Sequence, residues 1–399
     1  MLILEAKLNG KAEQYALIDE AIRTALFCRN KALRFWMDNK SVNKYDLNKY
    51  MAVLAKEFDF AHKLGSQARQ SSSERAWSAI SRFFDNCKKK TSGKKGFPKF
   101  KKRGNSVEYK QTGWSLSEDR KYLNLTDGFN IGRLKLVGDR DLNFYQIEQI
   151  KRVRLVRRAD GYYAQFCIDV DRKEAITPSL RITGLDVGLT HFYTDSQGEV
   201  VENPRYLRKS ERKLKKLQRK VSQRKKGSAN RRKAIKRLAR KHLQVSRQRK
   251  DFAVKTARCV VRSNDLIAYV GEACAERIDL QVRNMVKNHK LAKSISDASW
   301  SMFRDWIEYF GKVYGKVTIA VPPHYTSQNC STCGTLVKKT LSTRTHICKC
   351  GCVLDRDQNA ALNILALGLS RVGHTQTQYA CGEFDLCQLD VSLLGKLSQ

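Results

Sequence analysis

Five cysteines fall within residues 330–352, as Cys330-Ser-Thr-Cys333, fourteen intervening residues, and Cys348-Lys-Cys350-Gly-Cys352. No other feature of the chain limits its fold as tightly. Two tight turns that each deliver a pair of thiolates to one tetrahedral ion make a zinc ribbon. The second pair departs from the C-x-x-C spacing of the first, so either Cys348 with Cys350 completes the site or a set using Cys352 does. Cys348 and Cys350 are preferred, because Cys350-Gly351 repeats the Cys333-Gly334 turn. The expected ligands are therefore Cys330, Cys333, Cys348 and Cys350. Such a site has no open position and no water-activating base, so its zinc is expected to be structural.

The ribbon sits in a strongly basic chain. Among 399 residues, 77 Lys and Arg against 39 Asp and Glu leave a net charge of +38, a self-repulsion that calls for a polyanionic partner. Nucleic acid is the first candidate, since every phosphate neutralised releases condensed counterions. A hydrophobic content of 41% is enough for folded cores, and the length implies two or three compact units. No run approaches the ~20 apolar residues of a membrane helix, and Met1-Leu2-Ile3-Leu4-Glu5 lacks the basic start and apolar stretch of a signal peptide. The chain is expected to be cytoplasmic, with no membrane partner. In that setting twelve cysteines suggest metal binding rather than a disulfide framework.

Apolar periodicity predicts a short strand over residues 1–9, then helix over 12–38, 50–54 and 71–84. A charged segment follows, KGFPKFKKR at 95–103, where Gly96 and Pro98 break regular structure and Lys99, Lys101, Lys102 and Arg103 are candidate nucleic-acid contacts. From 106 to about 171 short alternating runs predict a mostly β region, a small barrel. A second domain opens at Leu180 with a hairpin turning at Ser196–Gly198. The stretch 205–250 then carries 22 Lys or Arg with Glu211 as its only acid, a bias too one-sided for an ordinary solvated face. Its leucines keep helical spacing on either side of Gly227, predicting a basic helical hairpin that lies against phosphates, with Arg231, Arg232 and Lys233 as candidate contacts. Strand-like runs at 266–270 and 317–321 flank a helix that buries Trp300, Phe303 and Phe310, an α/β alternation.

Two acids stand out. Asp186 lies in the strand GLDVG, where Gly184 and Gly188 would let a phosphate backbone and a metal come close. Asp357 lies in LDRDQNAALNIL at the start of a helix, a position where an Asp is ordinarily an N-cap. Taken together in a basic α/β domain they suggest carboxylates holding two divalent ions about 4 Å apart for phosphodiester hydrolysis.

GLDVG, then SQNCSTCG, then CGCVLDRDQNAALNIL, with a basic helical hairpin after the first, resembles the TnpB proteins of bacterial insertion sequences, RNA-guided DNA nucleases related to type V CRISPR effectors. KGFPKFKKR resembles that family's entry into its wedge domain, and MVKNHKLAKSISDASW its RuvC helix. The resemblance implies an α/β RNase H-like RuvC domain at 180–325 and 353–368, with the zinc-ribbon insert at 326–352. It also implies a wedge-like β-barrel at 1–10 and 95–178, a helical recognition lobe at 11–94, and a C-terminal tail at 369–399. Its implied partners are a guide RNA and a target DNA, and its implied catalytic cofactor is Mg²⁺. The family's triad is Asp, Glu and Asp; Asp186 matches the first and Asp357 the third. For the second, the chain carries extra residues after the strand DLIAY. Aligning the strand puts Val270 in the glutamate's place, and aligning Asp279-Leu280 puts Ile278 there. Glu272 is the preferred replacement, since in an extended strand it shares a face with Val270; Glu276 and Asp279 are the alternatives. A chain lacking the third carboxylate would still bind DNA under guide control. A transposase reading lacks its chemistry, because no His-x-His occurs in the sequence.

Overall fold

The structure is a computed structural model describing residues 1–89, 95–138, 141–271, 287–289, 291–340 and 343–372. The chain divides into two compact units, Met1–Asp171 and Arg172–Gln399.

The first unit begins with β1 (Leu2–Asn9), followed by α1 (Ala12–Asp38), α2 (Lys44–Glu57), α3 (Asp59–Lys63) and α4 (Ser66–Lys88). Asn43 starts α2 with a capping box: its side chain accepts the Tyr45 and Asp46 amides while Asp46 accepts its own. The remaining strands are β2 (Ser106–Lys110), β3 (Trp114–Leu116), β4 (Tyr122–Leu125), β5 (Leu134–Val137), β6 (Ile150–Arg158) and β7 (Gly161–Ile168). They form one antiparallel sheet in the order β2-β6-β7-β1-β5-β4-β3, with the N-terminal strand at its centre. The two edge strands are consecutive in sequence, joined only by the 3₁₀ turn Gln111–Gly113. Seven flat strands would spread about 29 Å at ~4.8 Å each, far beyond the reach of three residues, about 10 Å. The sheet is therefore curled. The barrel expected from sequence is a half-barrel, because the turn between β2 and β3 stands where their ladder would be, and no pairing between them occurs among the described residues. A single core fills the concavity, from Leu4, Leu8 and Phe166 of the sheet to Ile18, Ile22, Leu33, Leu54 and Ile80 of the helices.

The second unit is a three-layer α/β structure. Its strands are β8 (Ile182–Val187), β9 (His191–Asp195), β10 (Val200–Glu202), β11 (Leu266–Val270) and β12 (Val317–Val321), in the order β10-β9-β8-β11-β12. The pairs β8/β9 and β9/β10 are antiparallel, and β8, β11 and β12 run parallel. The expected hairpin at Leu180 is thus a three-stranded meander, whose second turn holds Gly198 at φ +87. Helices α5 (Tyr206–Ser222) and α6 (Ala229–Ser263) form the basic hairpin, with Gly227 at φ +83 between them and Ser228 capping α6. The second helix runs thirteen residues past the basic stretch, and that extension, through Ala253, Ala257, Val260 and Val261, packs on one face of the sheet. With it pack α7 (Ala292–Ala298) and α8 (Trp300–Tyr314), which buries Trp300, Phe303, Ile307 and Phe310. Ser299, at φ 58, separates these two helices. The opposite face is covered by α9 (Arg356–Arg371), through Ile364, Leu365 and Leu369. The small antiparallel pair β13 (Thr345–Ile347) and β14 (Val353–Asp355) leads into α9. Among the described residues no helix is long and apolar enough to cross a membrane.

Candidate functional site

Asp186 lies near the C-terminal end of β8, the end of a parallel strand at which α/β sheets build their sites. Alternation along the strand puts Gly184 and Asp186 on the α9 face and Leu185 on the α8 face. The approach of α9 is close: a Cβ on Gly184 would stand 2.1 Å from the Ala361 carbonyl oxygen and 2.8 Å from the Leu365 amide nitrogen. Gly184 is therefore required by helix packing rather than by an approaching phosphate, a correction to the expectation from sequence.

That packing brings the start of α9 to Asp186. The cap of this helix is Asp355, whose carboxylate accepts the Asp357 and Gln358 amides at 2.8 and 3.3 Å. Asp357 is consequently free of the capping role that its position suggested. Its carboxylate is held by guanidinium groups instead, Arg356 Nε and Nη2 at 2.9 and 2.8 Å and Arg344 Nη1 at 3.4 Å, with Arg344 Nη2 also donating to Thr190 Oγ1 at 3.0 Å. Burial first, and then the negative charge of Asp357, push the Asp186 carboxyl up to about 7, with Arg356 opposing the shift. Two carboxylates from distant stretches of chain thus share one field. Arg356 was visible between the acids of the DRD sequence; nothing in the sequence marked Arg344 or Thr190.

The third carboxylate is a different matter. The parallel register pairs Leu185 with Tyr269, which carries on to set Val270 beside Asp186 on the α9 face. Val270 is buried there with Ala268, Val321 and Ile364. An apolar side chain therefore stands at the position that aligning the strand gives the glutamate; Ile278 of the other alignment, and Glu272, Glu276 and Asp279, lie outside the described residues. Among the described residues, the groups of three or more potential metal ligands with atoms within 4.8 Å of one another consist of Cys and His alone.

One of those groups is Cys330, Cys333, Cys348 and Cys350. Cys330 Sγ stands 3.6 Å from Cys350 Sγ, and Cys333 Sγ 3.6 Å from Cys348 Sγ. A tetrahedral zinc with bonds of about 2.3 Å requires sulfurs about 3.8 Å apart, so the donor set fits the ion. Gly334 and Gly351 take φ +74 and +89, the same left-handed turn after each cysteine pair. The Thr335 hydroxyl and amide lower the Cys333 thiol to about 6. Cys350 receives a favourable backbone hydrogen bond from Cys352, yet the neighbouring sulfurs and burial push it up to about 12. Four thiols this close ionise together only around a cation. The second group is Cys330, Cys352 and the fully buried His346. The ribbon is stitched to α9 by Asn359, which donates to the Asn329 carbonyl at 2.8 Å and accepts the Ser331 amide at 3.0 Å, and by Asn363, which donates to the Thr326 and Asn329 carbonyls at 2.8 Å.

The expected basic contacts sit on the surface of their own units. Lys99, Lys101, Lys102 and Arg103 are exposed, as are Arg232 and Lys233. Arg231 is half-buried, and its guanidinium donates to the Arg224 carbonyl at 2.7 Å, closing the hairpin turn. At the base of the hairpin the buried Asp297 accepts the Leu207 amide at 2.9 Å and Arg249 Nε at 2.9 Å, gripping both helices. No sequence signal pointed to Asp297.

Two family profiles match the chain, one described as "Probable transposase" over residues 165–289 and one as "Cas12f1-like, TNB domain" over residues 300–364. A protein of Streptomyces pristinaespiralis named "Putative RNA-guided DNA endonuclease" is 39% identical over 231 residues, 57% of this chain and 54% of that protein. InsQ of Escherichia coli K12, which carries the same description, is 28% identical over 297 residues, 72% of this chain and 70% of InsQ. A TnpB-like protein of Acanthamoeba polyphaga mimivirus is 27% identical over 275 residues, 64% of this chain and 51% of its own length. The matches thus span about half the length of the Streptomyces and mimivirus relatives. Among solved structures, the Cas12f1 chain of a Cas12f1-sgRNA-target DNA complex aligns at a TM-score of 0.53 with 15% identity, covering 88% of this chain and 82% of that one, a likeness of fold.

Proposed function

Because the chain belongs to the TnpB/Cas12f1-like family of RNA-guided nucleases, we propose that it binds a guide RNA and cuts a matching DNA target at a RuvC-like centre. What supports this reading is the close packing of α9 on β8 at Gly184, which brings the start of the helix that holds Asp357 to the strand that holds Asp186, and burial and the Asp357 charge raise the Asp186 carboxyl there. In this reading the second unit is an RNase H-like RuvC domain, with Asp186 on its first strand and Asp357 on its last helix. Mg²⁺ bound there would activate water and stabilise the leaving oxygen of a phosphodiester. Asp186 and Asp357 would hold it, with Glu272 as the first choice of third ligand and Glu276 or Asp279 as the alternatives. Arg356 and Arg344 neutralise Asp357 until a cation takes their place. The half-barrel would serve as the wedge and the helices of the first unit as the recognition lobe. Zinc bound by Cys330, Cys333, Cys348 and Cys350 would fix the ribbon and, through Asn359 and Asn363, the helix that presents Asp357. Sequence choice is delegated to base pairing.

A second reading, guided DNA binding with impaired or lost cleavage, is favoured by Val270, which fills the place beside Asp186 with an apolar side chain. One experiment separates the two. The RNA that copurifies is sequenced, and the complex is incubated with a matching DNA duplex in Mg²⁺ or Mn²⁺. Cleavage that disappears in Asp186→Ala and Asp357→Ala while DNA binding survives supports the nuclease. Wild-type protein that binds its target and never cuts it establishes the binding module instead.

A further inference from the structure

The first unit holds positive charge that its carboxylates do not answer. Where α4 meets β2 and β6, Glu74 is shared by Lys110 at 2.8 Å, Lys44 at 3.4 Å and Arg152 at 3.7 Å. The buried Glu108 accepts Arg152 at 2.9 Å and Arg154 at 2.6 Å. Four cations thus already surround two acids. Beside them stand three more, Arg29, Arg75 and Lys101. Arg29 is only 6% exposed; its Nη1 donates to Asn30 Oδ1 at 2.9 Å and to the Lys99 carbonyl at 3.3 Å, while its buried Nε has no hydrogen-bond partner. Arg75 is turned to the Ser106 carbonyl and hydroxyl, at 3.2 and 3.1 Å. The Lys101 peptide is clamped by Asn30, whose Oδ1 accepts its amide at 3.1 Å and whose Nδ2 donates to its carbonyl at 2.8 Å.

These three groups crowd one another. Arg29 is lowered by burial and then by Arg75, and Lys101 by burial and then by Arg29 and Arg75. Arg75 is lowered by burial, with Glu108 opposing and Arg154 adding to the shift. Glu108 already takes Arg152 and Arg154, so it is in no position to pair with Arg29 as well. A guanidinium this deeply buried with an idle donor is costly unless an anion completes it.

We propose that Arg29, Arg75 and Lys101 form a discrete phosphate-binding site, Arg29 as its floor and Arg75 and Lys101 as its walls, where the segment 95–105 crosses α1 and α4. Guanidinium forks match phosphate oxygens better than any other cation, which suits a built site rather than a diffuse basic surface. The phosphate is taken to be one in a nucleic-acid backbone. Phe100, 47% exposed on the same segment, offers a face on which a base stacks, and a free phosphate would have no use for it; Phe97 packs against Phe83 and Trp36. The inference rests on the nucleic-acid reading above and adds a site to it.

The test uses the full chain freed of RNA, with Arg29→Gln, Arg75→Gln and Lys101→Gln as variants and Arg231→Ala/Arg232→Ala/Lys233→Ala as the comparison. Affinity for an oligouridylate is measured against salt, and thermal melting is followed with inorganic phosphate at constant ionic strength. Each single variant is expected to weaken oligouridylate binding by about tenfold and to flatten the logarithmic salt slope by about 0.7, one phosphate's worth for a single strand. Lys101 is exposed, so its variant tests the site even if the Arg29 change unfolds the protein. Phosphate that raises the melting temperature of wild type but of none of the variants shows that the site takes the free group too. Weakened oligouridylate binding without a phosphate effect restricts the site to a backbone phosphate, and both results support the proposal. Folded variants with wild-type affinity and slope overturn it, and if the hairpin variant binds weakly in the same assay the nucleic-acid reading survives. A wild-type protein that binds neither probe sinks both.

Discussion

Asp186 carries a clear physical signature. Its carboxyl, ordinarily near 3.8, rises to about 7 because burial and the Asp357 charge both disfavour ionisation. The folded protein therefore holds this proton more tightly than the unfolded chain does. Without metal, the ionised group costs the fold nothing below about pH 4 and its full penalty above about pH 7, so its contribution to stability falls as pH rises through that window. Asp186→Asn should remove the penalty. The metal-free variant is expected to melt above wild type at pH 7.5, by a difference that shrinks toward zero at pH 4, and added Mg²⁺ should raise the wild type alone. A melting difference that does not vary with pH would show that the carboxyl is not shifted. The sequence made both acids of this pair visible, but not the division of labour in DRD. Whether Asp355 or Asp357 caps the helix depends on which of them has extended backbone angles, and the structure gives Asp355 φ -60 and ψ 142.

At the scale of elements, periodicity was a good guide wherever one face of a segment is buried, because burial itself sets the apolar spacing. The strand at Leu2–Asn9, the helix Ala12–Asp38 and the helix ending near Gly315 were all legible for that reason. The length of α6 was less so, since its basic half and its packed half share one uninterrupted helix and only the first is marked by composition. Nor was the half-barrel's open seam legible, because it depends on which strands pair across a hundred residues. Gly184 shows the same limit. Its sequence neighbourhood suggested room for a ligand, whereas its Cβ position is occupied by the backbone of α9. Gly184→Ala should therefore push that helix off the sheet and destabilise the second unit by at least about 3 kcal/mol, measurable by urea unfolding; a change below 1 kcal/mol would mean that the helix can shift without loss. The ribbon and α9 form one mechanical element through Asn359. Stripping zinc with a chelator should loosen both, and Asn359→Ala should cost about 2 kcal/mol while leaving the zinc content near one per chain. Elemental analysis and melting of the same sample check the two halves of that statement. Purified protein with no zinc and with freely alkylated cysteines would remove the ribbon's metal altogether.

For the whole molecule the governing quantity is charge, +38 over 399 residues, and how it is held. The basic hairpin is not a loose arm. Asp297, 9% exposed, accepts amides from the first turn of α5 and the Arg249 guanidinium of α6, so one buried carboxylate sets the base of both helices. Removing it leaves Arg249 buried and unpaired, and Asp297→Ala should cost about 3 kcal/mol. Farther out, Glu211 is the one acid within the stretch 205–250. Glu211 pairs with Lys215 and Lys293, at 3.1 and 3.0 Å, and offers nothing to the cations beyond Gly227. Cations of this kind neutralise phosphates without reading bases, so removing them should be felt equally at every sequence. Replacing Arg231, Arg232 and Lys233 by Ala is expected to weaken RNA binding uniformly and to flatten the salt slope by about 0.7 for each phosphate no longer neutralised. Arg231 closes the hairpin turn, so the drop should correspond to two phosphates rather than three if Arg232 and Lys233 alone meet the strand. Measuring the double variant Arg232→Ala/Lys233→Ala beside the triple one decides it. Equal slopes assign Arg231 to the turn, and a further drop in the triple variant assigns it to the nucleic acid. An unchanged slope in both would return the hairpin to an ordinary solvated face, leaving the excess charge of the chain to be matched by phosphates elsewhere on its surface.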